Sequence, residues 1–254
     1  MTTTHPVTEP TSPRERGSWT APVIALTVLA VVIIAAVVAS RLTGGAQRST
    51  LDDSWANVTT VQLDIDSGNV TLQASDGQGV RVQRQLHWTT HKPTISASLQ
   101  GDVLVLKSSC SGGFFNLFGQ NCEVDHTVWL PRSATAVVKT NAGNIQATNL
   151  ASPLRLHSQA GNVTGAALAG TDVEASTQAG NVELLFSQAP SDVTATSQAG
   201  NVTVELPRGT EGAYAVDAHS QAGRADVGIA TDPASTRHIV ATTQAGNVKV
   251  RYAG

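Results

Sequence analysis

Aromatic residues make up 4% of the 254-residue chain and charged residues 14%, and there are only two cysteines. Each scarcity excludes something. With 16 Lys+Arg against 19 Asp+Glu and no basic block, the chain lacks the positively charged face of a nucleic-acid binder. Sparse charge also argues against a long acidic or basic tail. No nucleophile elbow, phosphate loop, zinc-protease helix or dinucleotide fingerprint occurs, so no enzyme class is signalled and no cofactor is implied. The two cysteines have no CxxC partner or nearby paired histidines, so no zinc set is complete. What remains is rich in Ser, Thr, Val, Ala and Gly, which reads as β-structure around a thin core of small residues.

One long apolar run is present. No charged residue occurs from Gly17 to Ser40, and Val23–Ala39 is apolar except for Thr27. Twenty helical residues span about 30 Å, the hydrocarbon thickness of a bilayer, so Ala21–Ser40 is expected to be a membrane-crossing helix. A cleaved signal peptide is the rival reading, with Val37-Val38-Ala39 as its processing site, but the run exceeds the usual h-region. Arg14 and Arg16 on one side match Arg41 and Arg48 on the other, so charge alone leaves the orientation tied. The cysteines break the tie. Cys110 and Cys122 bracket C-S-G-G-F-F-N-L-F-G-Q-N-C, the pattern of a local disulfide in an oxidising compartment. The expected organisation is a disordered cytoplasmic tail at 1–20, a transmembrane helix at 21–40, a linker at 41–56, and then an extracytoplasmic domain.

That domain is repetitive. T-N-A-G-N-I at 140–145 is followed by S-Q-A-G-N-V at 158–163, T-Q-A-G-N-V at 177–182, S-Q-A-G-N-V at 197–202, a degenerate S-Q-A-G-R-A at 220–225 and T-Q-A-G-N-V at 243–248, with an isolated D-S-G-N-V at 66–70. The glycines from Gly143 onward are 18, 19, 20, 23 and 23 residues apart. Val173, Ala175, Thr177 and Ala179 step by two, then Val182 is three away, and Leu184 and Phe186 resume the step. A step of three would turn every later side chain to the wrong face unless the strand rounds a corner there. Gly68, Gly143, Gly161, Gly180, Gly200, Gly223 and Gly246 mark those corners, because glycine alone takes positive φ without cost. A unit of about 20 residues cannot bury its own apolar face, so units must stack. The expected fold is all-β, a parallel β-solenoid of strand–corner–strand layers, about 4.8 Å apart; a β-sandwich of hairpins is the alternative.

Stacking also accounts for the columns beside the glycine. Asn144, Asn162, Asn181, Asn201 and Asn247 form one column and Gln159, Gln178, Gln198, Gln221 and Gln244 another, where amides in adjacent layers can bond as ladders. An inward Ser/Thr column runs from Thr140 to Thr243. Residues 57–135 begin with a matching unit and then lose the period, which reads as the N-terminal cap of a solenoid at 136–254.

An apolar crossing, an opening S-G-N-V-T-L unit, V-W-L-P at 128–131 and repeated [ST]-x-A-G-N-V strands together resemble a bacterial putative-adhesin domain of unknown function, over Val58–Gly254. The resemblance implies an adhesin-like, β-helical, envelope-facing domain, with no defined binding residues. The Phe-rich cysteine loop and the weakened repeat at Gly223 depart from its pattern.

Candidate chemistry is thin. His157–Ser158 and His219–Ser220 cannot be dyads, because neighbouring strand residues face opposite ways. Asp172 and Asp192 align in successive units, where they could share a cation or simply open strands after loops. Phe114, Phe115, Leu117 and Phe118 form an apolar loop tip, a candidate contact for a partner or a cap over the solenoid end. The loops 187–191, 207–212 and 231–237 are expected along one side. The function expected is a membrane-anchored, envelope-facing interaction or structural module without catalytic activity, with an envelope protein or cell-wall polymer as partner. The alternatives are an accessory or sensor protein of an envelope-stress pathway, and an enzyme acting on surface polysaccharide.

Overall fold

Apolar residues at every second position make most of the described chain β-strand. The computed structural model describes residues 46–89, 91–110, 122–209 and 214–254. Residues 46–254 form one unit with its own hydrophobic core. The expected tail and membrane helix, and the loop tip Phe114, Phe115, Leu117 and Phe118, lie outside the described residues. Among the described residues no helix is long and apolar enough to cross a membrane.

The N-terminal strands are β1 (Gln47–Trp55), β2 (Thr60–Ser67), β3 (Val70–Ser75), β4 (Val80–Trp88), β5 (Thr94–Gln100), β6 (Val103–Ser109) and β7 (Cys122–Pro131). The repeats supply β8 (Thr135–Ala142), β9 (Ile145–Thr148), β10 (Leu154–Ala160), β11 (Val163–Leu168), β12 (Asp172–Ala179), β13 (Val182–Phe186), β14 (Asp192–Ala199) and β15 (Val202–Leu206). The last four are β16 (Ala215–Ala222), β17 (Ala225–Gly228), β18 (His238–Ala245) and β19 (Val248–Tyr252).

They form two facing sheets. One has ten strands in the order β1-β4-β7-β3-β9-β11-β13-β15-β19-β17, and the other nine in the order β16-β18-β14-β12-β10-β8-β2-β6-β5. Each corner glycine carries the chain from the nine-stranded to the ten-stranded sheet, so the pairs β2/β3 through β18/β19 are layers of a parallel β-solenoid. Side chains at each level meet in register: Val61, Ala136, Leu154, Val173, Val193 and Ile239 stack along the nine-stranded sheet. Val70, Ile145, Val163, Val182, Val202 and Val248 do the same in the other sheet. All are buried. Burying a Val or Leu side chain contributes roughly 1.5–3 kcal/mol, and these columns are the cohesion of the stack.

Two features differ from the sequence-based expectation. The segment 47–55, assigned there to the linker, is strand β1, paired antiparallel with β4. Its inward row is Leu51, Asp53 and Trp55; the charge in that row hides the alternation, and Asp53 is accommodated by an ion pair with Arg84. The layers also do not stack in chain order. β18/β19 lies against β14/β15, and the degenerate unit β16/β17 lies outside it, at the end of the stack. At the other end β6 and β7 lie outside β2/β3, and the antiparallel strands β5, β4 and β1 complete that edge.

Candidate functional site

The corners hold the most repeated chemistry in the molecule. Gly68 has φ +133°, and Gly143, Gly161, Gly180, Gly200, Gly223 and Gly246 have φ between +147° and +154°. Conformation is only half of the requirement. A Cβ on Gly180 would stand 2.1 Å from the carbonyl oxygen of Gly161 in the layer below, and the same overlap recurs at every corner. Backbone must pass over backbone there, and no side chain fits between.

Three sets of hydrogen bonds clamp each corner to the next. The hydroxyls of Ser158, Thr177, Ser197, Thr243 and Ser220 donate to the carbonyls of Gly143, Gly161, Gly180, Gly200 and Gly246 at 2.8–2.9 Å. The corner glycine N–H groups, except that of the terminal Gly223, each donate to the Ala carbonyl of the next layer in the stack, as Gly180 does to Ala199 at 2.9 Å. The third set is a ladder through the Asn column. The backbone N–H groups of Asn162, Asn181, Asn201 and Asn247 donate to the side-chain oxygens of Asn144, Asn162, Asn181 and Asn201, each at 2.8 Å.

This ladder has a polarity. It begins at Asp125, whose Oδ1 accepts from the N–H and the side-chain amide of Asn69 at 2.8 and 3.0 Å. It ends at Arg224, whose N–H donates to Asn247 Oδ1 at 3.0 Å. An ionised carboxylate only accepts, and a guanidinium offers no acceptor, so the ladder starts and stops with residues that suit its ends. The Gln column is not a second ladder. Gln159 donates to Asn141 at 2.9 Å, and no Gln–Gln bond occurs among the described residues, because these side chains are exposed and water competes for them.

The inner row of the N-terminal edge carries a polar group that sequence reasoning missed. Arg84 and His126 face each other across β4 and β7 and are buried. His126 Nδ1 donates to the Val124 carbonyl at 3.0 Å, while its Nε2 is buried without a partner. Burial, reinforced by the Arg84 charge, lowers the imidazole pKa to about 4. Burial likewise lowers the pKa of Arg84, while burial and then the neighbouring Asp125 charge raise that of Glu123. A signal was available: Arg84 interrupts the step Val80, Val82, Leu86, and His126 interrupts Val124, Val128, Leu130.

Cys110 and Cys122 are joined in a disulfide, Cα–Cα 5.8 Å, at the ends of β6 and β7. Ser158 points into the core, whereas His157 lies on the outer face with its Nδ1 2.9 Å from Ser176 Oγ. Asp172 and Asp192 do pair in register, but Asp172 is held by Arg155 at 3.0 Å, and the same guanidinium binds Glu174 at 2.7 Å. Among the described residues no group of His, Cys, Asp and Glu could hold a metal ion. The outer face of β8, β10 and β12 is thus an open, mixed-charge surface of Lys139, Arg155, His157, Glu174 and Ser176.

A family model described as Toastrack DUF4097 matches residues 52–253. The chain belongs to the Toastrack DUF4097 family. No curated protein matches it. Among solved structures it is similar to a "putative cell adhesion protein" from Clostridium sporogenes, with 10% identity and a TM-score of 0.46 over 82% of this chain and 100% of that one. It is also similar to a "putative adhesin" from Bacteroides fragilis, with 16% identity and a TM-score of 0.48 over 83% and 99% of the two chains. A "putative lipid binding protein" from Parabacteroides distasonis matches at 10% identity and a TM-score of 0.32, over 83% and 98%.

Proposed function

We propose that this Toastrack chain is a membrane-anchored, envelope-facing interaction module without catalytic activity. One observation carries the reading. Most of the inward hydroxyls, the Asn carboxamide oxygens and the glycine and Asn backbone N–H groups that repeat at its corners are consumed in layer-to-layer hydrogen bonds, so the repeat builds a scaffold. Chemistry available to a partner lies on the outer faces, where charges of both signs are spread over successive layers. An open, multi-layer surface fits an extended macromolecule, and a cell-wall polymer or an envelope protein is the partner class. The Ala21–Ser40 segment supplies the anchor, with the N-terminus cytoplasmic. The disulfide supports an oxidising location for the β-domain.

The test uses the full chain, tagged at both ends, in intact protoplasts. External protease is expected to digest the C-terminal tag and spare the N-terminal one; the reverse pattern, or release of the β-domain into the medium, overturns the anchor. Incubated with insoluble cell-wall material, the protein is expected to bind without releasing soluble fragments. Time-dependent release of reducing sugars would make it an enzyme instead.

A further inference from the structure

The terminal layer β16/β17 is built like the others but lacks a neighbour on its outer side. Among the described residues, no strand pairs with the outer edge of β16 or of β17. Side chains that are fully buried in inner layers are open here: Val227 is 38% exposed, whereas Val250, its counterpart one layer in, is 0% exposed. The Ala215 N–H donates inward to Arg237, so by strand alternation those of Val216 and Ala218 face the free edge. β16 runs for eight residues with no proline, and its inner row of Val216, Ala218 and Ser220 carries no charge. No proline, lysine or inward charge guards this edge, and its one charged residue is the outward Asp217.

We propose that this end of the solenoid docks against the same end of a second copy, β16 pairing antiparallel with its symmetry mate about Ala218. Two features select that occupant. The surface consists of two strand edges, one from each sheet, with apolar residues between them, and a single extended peptide covers only one edge, whereas another solenoid end covers both. The outer row places Asp217 and His219 on either side of Ala218. A two-fold axis at Ala218 sets Asp217 of each copy opposite His219 of the other, a carboxylate–imidazole pair formed twice. Head-to-tail stacking lacks this match, because it lays β17 with Asp226 along β1 with Asp52. The inference does not depend on the proposed anchoring.

Sedimentation velocity tests it, using residues 46–254, which contain the whole described core. A species of twice the monomer mass is expected to grow in as concentration rises to roughly 300 μM. Ala218→Pro removes a donor from the free edge and no bond to β18, so it is expected to leave a monomer with an unchanged melting temperature. Asp217→Lys is expected to weaken association at least tenfold, and the double variant Asp217→Lys, His219→Glu to restore it. A wild-type monomer throughout, filaments of increasing length, or a double variant no better than the single one would each overturn the proposal.

Discussion

At the Gly68 end of the stack the chain turns back on itself. β4 runs antiparallel to both of its neighbours, β7 and β1, and β5 runs antiparallel to β6. This reversal lets longer, irregular side chains enter the inner row, including Trp55 and the Arg84–Asp53 ion pair. At the Gly223 end there is no reversal. The last layer is an ordinary repeat in which Asn is replaced by Arg224 and Val by Ala225. One end is closed by a different kind of structure, the other by a repeat unable to pass the Asn ladder on. The difference teaches that a solenoid layer has two separable duties: to receive the layer below and to template the layer above. The unit at Gly223 keeps the first and has lost the second.

That contrast can be broken most forcefully at the glycines. Gly180→Val places a β-branched residue at φ +151° and its Cβ 2.1 Å from a backbone oxygen, in a layer held on both sides. Destabilisation above about 4 kcal/mol, or no folded protein, is expected from denaturant titration. Gly223→Val meets an equal overlap, but its layer can swing outward, and less than half that loss is expected. Equal losses would show that the terminal layer is as constrained as an inner one.

The N-terminal edge is sharpened by pH. His126 has a pKa of about 4 when folded, against about 6.5 unfolded. The unfolded chain therefore binds the extra proton between these values. The neutral, buried imidazole is fully tolerated above pH 6.5, and stability falls as pH drops from about 6.5 to 4, by about 3 kcal/mol in all. His126→Val, which supplies the residue found at Val70 in the next layer, is expected to flatten that dependence. Persistence of the same slope in the variant would assign it to other groups.

The smallest effect concerns the ladder. Asn181→Ala leaves the Asn201 N–H without its acceptor and is expected to cost about 1–2 kcal/mol. Arg224→Ala removes a side chain that templates nothing, and a change within about 0.5 kcal/mol is expected. Melting curves that moved equally for both would deny the ladder its polarity.

Much of this was readable in the chain. The step of two, broken by a step of three at each glycine, specifies strand–corner–strand units and the inward and outward rows. The substitution of Arg224 for Asn also carried a message: a residue that accepts nothing from the next layer suits only the end. The layer order escaped because a repeat specifies its neighbours by chemistry and not by position in the chain. T-Q-A-G-N-V at 243–248 satisfies both neighbours, whereas S-Q-A-G-R-A satisfies one, so exchanging them in space satisfies more hydrogen bonds. β1 escaped because its one inward charge is compensated by Arg84, 31 residues away.

The sequence by itself determined the layer: its length, its corner and which side chains face inward. Those properties follow from local alternation and from what a glycine backbone permits, and they repeat because the text repeats. Only the tertiary structure decided the order of the layers, the reversal that closes one end, and the burial of Arg84 and His126. Each of these depends on pairing between segments distant in the chain, where hydrogen-bond capacity and buried charge are balanced over the whole stack and no local pattern records the outcome.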